Sequence, residues 1–164
     1  MYGNNNHCGE ACAFGKYALT NPSFECRSCV VGKYSSAGAR SCANCNPGQY
    51  APTTGLAACS SCMSGSYSGA GASVCTKCAG GMYQPSAGEA SCLTCAVGKY
   101  AGIGSTACKV CAAGTFAAKA GSATCASCAS GTYSSAGWDA CVSCSSGKYS
   151  AGGAATCTNC APGT

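Results

Sequence analysis

Cysteine recurs along this chain at a fixed interval. After Cys8 and Cys12 come nine C-x2-C pairs, Cys26/Cys29 through Cys157/Cys160, whose first members stand 16 or 17 residues apart. A short fixed period means one supersecondary unit copied many times, each copy too small to bury a core alone. Composition sharpens the point. Leu, Ile, Val and Phe together number 13 of 164 residues, whereas Ala numbers 31 and Cys 20. A chain so poor in large aliphatics cannot fill an ordinary core and would stay disordered without another constraint. The cysteines are that constraint.

Each unit reads C-x2-G-x-[Tyr/Phe]-x3 or x4-G-x3-C. A first glycine follows the second cysteine of each pair by three residues, as in Gly32, Gly81 and Gly147. An aromatic stands two further on, from Tyr17 and Tyr34 to Phe116 and Tyr149. A second glycine precedes the next pair by four residues, except in the first unit, where Pro22 holds that slot. Long and short units alternate through most of the chain, so the true period there is 33 residues. Fixed glycines predict positive φ or close backbone approach, and the Ala, Ser and Thr around them read as turns. The expectation is two short extended segments per unit, joined by tight turns, with the aromatic packed over the disulfide as the unit's only large side chain. Trp138 breaks the pattern and is expected at the surface or between units.

The fold class is therefore a small disulfide-rich repeat protein: an elongated ladder of about nine to ten units of short β-hairpins and turns, with almost no helix. One continuous array covers 1–164: an irregular N-terminal part at 1–11, repeats over 12–160, and a truncated next repeat at 161–164. The polar start, Met1-Tyr2-Gly3-Asn4-Asn5-Asn6, has no signal-peptide core, and no apolar stretch approaches the roughly 20 residues of a membrane span. Cysteine usage nevertheless points to an oxidising, extracellular or cell-surface setting. The simplest reconciliation is a mature fragment or an interior window of a longer protein.

Three chemistries compete for the cysteines. Paired C-x2-C motifs fit zinc-ligand spacing, but nine consecutive motifs with a single His fit it poorly. Redox C-x2-C chemistry needs a thiolate at a helix N-terminus or beside cations, and no such helix is predicted. Structural disulfides account best for the pattern. The simplest connectivity joins the second cysteine of one pair to the first of the next: Cys12–Cys26, Cys29–Cys42, Cys45–Cys59, Cys62–Cys75, Cys78–Cys92, Cys95–Cys108, Cys111–Cys125, Cys128–Cys141 and Cys144–Cys157. Each such loop encloses 12 or 13 residues, a size worth roughly 3 kcal/mol in the chain-entropy model. Spacing alone leaves other connectivities open. This pairing strands Cys8 and Cys160. Joining the C-terminus of one copy to the N-terminus of the next places 11 residues between them, close to a normal loop. Cys8 and Cys160 are thus expected in an inter-subunit or next-repeat disulfide.

The unit C-x2-G-x-Tyr-x3 or x4-G-x3-C-x2-C, typified by Cys128-Ala129-Ser130-Gly131-Thr132-Tyr133, resembles the ephrin-receptor-like cysteine-rich repeat. That resemblance runs from about Cys8 to Thr164 and implies secreted or surface proteins. The block from Cys29 through Gly32, Lys33 and Tyr34 to Cys42 is also distantly similar to the first loop of tumour-necrosis-factor-receptor modules. There the equivalent cysteines are bonded, which supports the pairing of Cys29 with Cys42. Receptor modules mix their loops, whereas this chain repeats one loop uniformly.

Net charge is +5, from nine basic residues spread without a run, so nucleic acid is not an expected partner. The four acids, Glu10, Glu25, Glu89 and Asp139, are far apart in sequence, and the single His7 lacks a nucleophile partner. No enzyme activity, metal site or cofactor is expected. The leading reading is an extracellular structural protein, a disulfide-laddered rod forming part of a filament, appendage or surface coat. Its partners would be copies of itself, placed head-to-tail or laterally. Ser and Thr number 35, so O-glycans on the turns are expected. The sole N-glycan-like triplet, Asn21-Pro22-Ser23, carries the forbidden proline. The alternative is a cysteine-rich stalk or ligand-binding ectodomain of a surface receptor or adhesin. Its contacts would fall in the least regular stretch, at His7, Phe14, Phe24, Glu25 and Arg27.

Overall fold

A computed structural model describes residues 11–19 and 25–161. Among the described residues there is no helix, and the strands pair as nine antiparallel two-stranded hairpins. Each hairpin starts one residue before the aromatic and returns through the residues between the paired cysteines. In the first, Lys16–Ala18 pairs with Cys26–Ser28. In the second, Lys33–Tyr34 pairs with Ala43–Asn44. The strands are this short because each glycine turns the chain. The slot glycines from Gly15 to Gly153 have φ between 69° and 84°, a region costly for any residue with a Cβ.

Nine disulfides close the hairpins. They join Cys12 to Cys26, Cys29 to Cys42, Cys45 to Cys59, Cys62 to Cys75, Cys78 to Cys92, Cys95 to Cys108, Cys111 to Cys125, Cys128 to Cys141 and Cys144 to Cys157, with Cα atoms 5.6–5.8 Å apart. The protein is a small disulfide-rich repeat protein, and the hairpins are named here repeats 1 to 9 in that order.

The described residues fall into two compact units that interleave along the sequence. The first draws on Met1–Met63, Tyr67–Thr76 and Ala87–Ser91, the second on Ser64–Ser66, Lys77–Ser86 and Cys92–Thr164. Within each unit the core is made of small groups. In the first, Cys12, Cys29, Cys45, Cys62, Ala51, Ser35 and Ser68 are buried. In the second, Cys78, Cys95, Cys111, Cys128, Ala101, Ala117, Gln84 and Ser134 are buried. The aromatics are not the centre of the core. Tyr34, Tyr50, Tyr83 and Tyr100 are half-buried and Tyr149 is exposed. From repeat 2 onward the residue after the aromatic takes the interior instead, from Ser35 and Ala51 to Gln84 and Ser150.

Trp138 is half-buried. Its ring lies 5.8 Å from that of Tyr133 within its own hairpin, and its carbonyl accepts the Ala117 N–H of the preceding repeat.

Candidate functional site

Among the described residues what recurs is a backbone junction rather than a side-chain cluster. Repeat 2 holds repeat 3 by three bonds. Gly32 N–H donates to the Ala51 carbonyl (2.9 Å), Gly55 N–H to the Cys29 carbonyl (2.8 Å), and Ser35 N–H to the Leu56 carbonyl (3.2 Å). In the second compact unit, repeat 5 holds repeat 6 through Gly81 to Ala101, Gly104 to Cys78 and Gln84 to Ser105, at 2.7, 2.8 and 3.1 Å. Repeat 8 holds repeat 9 through Gly131 to Ser150, Gly153 to Cys128 and Ser134 to Ala154. The same slots are used each time: first glycine, second glycine, and the residue after the aromatic. Backbone bonds of this kind contribute a net ~0.5–1.5 kcal/mol each. They ask almost nothing of the exposed side chains.

A hydroxyl adds to some junctions. Ser35 Oγ donates to the Lys16 carbonyl, Ser68 Oγ to Gln49, Ser134 Oγ to Thr115 and Ser150 Oγ to Thr132, at 2.8–3.0 Å. All four serines lie in short repeats, whereas long repeats carry Ala51, Gln84 or Ala117 in that slot. Repeat 6, also short, carries Ala101 in that slot, so the hydroxyl is confined to short repeats without being present in all of them.

The first glycine has a second duty. A Cβ on Gly32 would collide with the Gly71 carbonyl oxygen, and one on Gly81 with that of Gly121. Each of those carbonyls belongs to the repeat two further along. The turn therefore requires positive φ, and the stacking independently requires an absent side chain.

Shallow grooves lie beside the aromatics. One, of about 270 Å³, is lined by Tyr17, Ser28, Val30, Lys33, Ser41 and Cys42. Equivalent positions in the second compact unit, Tyr133, Ser145, Lys148, Thr156 and Cys157, line another of about 240 Å³. So each aromatic borders the cystine of the following repeat. These volumes sit at or below the lower end for small-molecule pockets, roughly 300–1,000 Å³.

Of the residues singled out for ligand contact, Phe14 is 63% exposed. Glu25 and Arg27 form an exposed ion pair at 4.0 Å, worth under about 1 kcal/mol. His7 and Phe24 lie outside the described residues, as do Cys8 and Glu10. Cys160 is exposed and carries no disulfide among the described residues. The small-residue slot was not anticipated from sequence. Its signal was present: Ala18, Ser35, Ala51, Ser68, Gln84, Ala101, Ala117, Ser134 and Ser150 each follow an aromatic directly.

Residues 65–100 and 98–133 each match the family model described as tyrosine-protein kinase ephrin type A/B receptor-like. These are ephrin-receptor-like repeats. The two matched segments meet around Gly98 to Tyr100, so one 33-residue period of this chain corresponds to one copy of the family's unit. No curated protein matches the chain. Bridged cysteines in ephrin-receptor-like repeats mark an extracellular or secreted type of cysteine-rich module. Among the described residues no helix is long and apolar enough to cross a membrane.

Proposed function

We propose that this chain is a non-catalytic structural module, a disulfide-laddered repeat forming part of an extracellular filament, appendage or surface coat. The observation that carries the reading is the junction. The same three backbone bonds link successive repeats, as at Gly32, Gly55 and Ser35 and again at Gly131, Gly153 and Ser134. A quasi-one-dimensional array of this kind is stabilised repeat by repeat. Chain length can then vary without redesign of a core, which suits a spacer or fibre element. Small side chains and few charges suit close packing against copies of itself, head-to-tail or laterally. Cys8 and Cys160 would link one copy to the next, and O-glycans on exposed Ser and Thr would coat the surface.

Intact mass of native material, before and after reduction, tests this. A large species that collapses to the single-chain mass on reduction supports an interchain Cys8–Cys160 link. A Cys8–Cys160 bridge within one compact chain refutes it. Deglycosylation that leaves the mass unchanged removes the glycan coat.

The second reading, a stalk or receptor ectodomain that binds a ligand at its N-terminal repeat, rests on the 63% exposure of Phe14 beside a hairpin with the longest strands. Phe14→Ala and Arg27→Ala would then abolish binding to cells or matrix. Unchanged binding removes this alternative.

A further inference from the structure

The nine bridges do not overlap along the chain: each loop closes before the next one opens, from Cys12–Cys26 to Cys144–Cys157. Tension applied to the two ends of such a chain travels by a short route. It crosses each bridge from Cα to Cα and follows the backbone only through the two residues between paired cysteines. Those pieces are the return strands, Ala43–Asn44, Leu93–Thr94 and Val142–Ser143 among them. The other strand of each hairpin, such as Lys33–Tyr34 or Lys99–Tyr100, lies inside a bridged loop that the tension bypasses. Most junction groups are bypassed too. Gly32 and Ser35 sit inside the Cys29–Cys42 loop, and their acceptors Ala51 and Leu56 sit inside the Cys45–Cys59 loop.

We propose that the array carries tension, as a tether whose extension is capped and whose junctions re-zip when the load falls. The cap follows from covalent geometry. The three peptide steps of a C-x2-C pair span at most about 10 Å. Each bridge adds 5.6–5.8 Å between Cα atoms. A stretched repeat therefore reaches about 16 Å, against about 55 Å for the same repeat with its bridge cut. Recovery follows from the same short route. When load pulls the Gly32 N–H from the Ala51 carbonyl, the segment Cys42-Ala43-Asn44-Cys45 still holds the two bridged loops together through a link of about 10 Å. Partners on so short a link meet at an effective concentration of about millimolar or above, and hairpin closure takes about 1–10 µs. Serial placement is what produces both properties. Nested bridges would tie several repeats into one block, and a bridgeless array would release its full contour. The inference rests on the structural reading above and names the work its repeats do, but it holds for a lone chain as for a filament.

Single-molecule stretching tests this. The full chain is pulled through peptide tags ligated at its two ends, with Cys8→Ser and Cys160→Ser removing the thiols outside the nine bridges. Without reductant, the span from position 12 to position 160 should stop lengthening near about 145 Å, and stretching and relaxing traces should overlay. Dithiothreitol under constant load should then add nine steps of about 40 Å each, one for every loop released. Cys78→Ala/Cys92→Ala should add one such length before reduction and leave eight steps after it. If that variant does not fold, the nine parent steps decide alone. Extension beyond about 200 Å before reduction overturns the cap. Steps well away from about 40 Å overturn the serial route. A gap between stretching and relaxing traces that persists over seconds overturns the re-zipping. Each of these results leaves assembly into a filament or coat standing, because assembly is read from intact mass. A single-chain native mass removes assembly and leaves the tether.

Discussion

Gly81 and Gly147 occupy one slot of one repeat and have nearly the same backbone, with φ of 84° and 77°. Their surroundings differ completely. Above Gly81 sits the Gly121 carbonyl, two repeats further along; above Gly147 there is nothing within 4 Å. The pair separates two demands that coincide at the first glycines of repeats 1 to 7, from Gly15 to Gly114. The turn asks for a left-handed conformation, and that demand is local. The stack asks for empty space, and that demand comes from a distant part of the chain.

Alanine at the two positions gives the largest expected contrast. Gly147→Ala should lose only the conformational cost, about 1–2 kcal/mol. Gly81→Ala adds a backbone clash and should lose more than about 4 kcal/mol or fail to fold. The Cys95 amide reports the first hairpin, through its bond to the Gly81 carbonyl, and the Cys160 amide the second, through its bond to Gly147. Exchange at these two amides measures each cost locally. Equal losses would break the comparison.

Bridges come next. The Cys78–Cys92 and Cys144–Cys157 loops are nearly equal, with sequence separations of 14 and 13. Chain entropy alone gives each about 3 kcal/mol. Cys78 is fully buried and Cys144 only half so. Replacing both cysteines of the first pair by Ala should therefore cost about 1 kcal/mol more than replacing the second pair, from the cavity left behind. Exchange-derived opening energies of the two hairpins measure this. A smaller contrast concerns the hydroxyl slot. Ser68→Ala loses a bond to the Gln49 carbonyl and should cost about 1 kcal/mol. The converse change, Ala101→Ser, should be neutral or gain a few tenths, since that slot sits over the same backbone feature. A loss above about 2 kcal/mol there would mean the slot has no room for a hydroxyl. Smallest of all, Arg27→Ala removes an exposed ion pair and should shift stability by less than about 0.5 kcal/mol.

The sequence made the period, the hairpins and the glycine turns legible, because each depends on residues within one repeat. Gly32, Tyr34 and Gly38 announce a turn, a strand and a turn without reference to anything else. What stayed hidden depends on neighbours. Nothing in repeat 2 says that Gly32 lies under Gly71, since that contact is set by how successive junctions rotate the backbone. The aromatics were expected over the disulfides as the only large side chains, and Tyr17 and Tyr133 do border Cys42 and Cys157 of the following repeats. The buried centre is taken by cystine and by residues such as Ala51, Ser68 and Ala101 that follow the aromatics. The ring of Trp138 meets Tyr133 of its own hairpin, while its carbonyl keeps a slot that Leu56 and Ser105 fill elsewhere. The slot uses only backbone, so it tolerates any side chain, and no sequence signal marks it.

The central claim is that serial cystines between neighbouring pairs take the place of a hydrophobic core. Peptide mapping of non-reduced, alkylated protein tests it most directly. The account predicts that each second cysteine of a pair is recovered bonded to the first of the next, from Cys12–Cys26 to Cys144–Cys157. Recovery of most cysteines as alkylated thiols with stoichiometric zinc, or of bridges that skip a repeat, would contradict it.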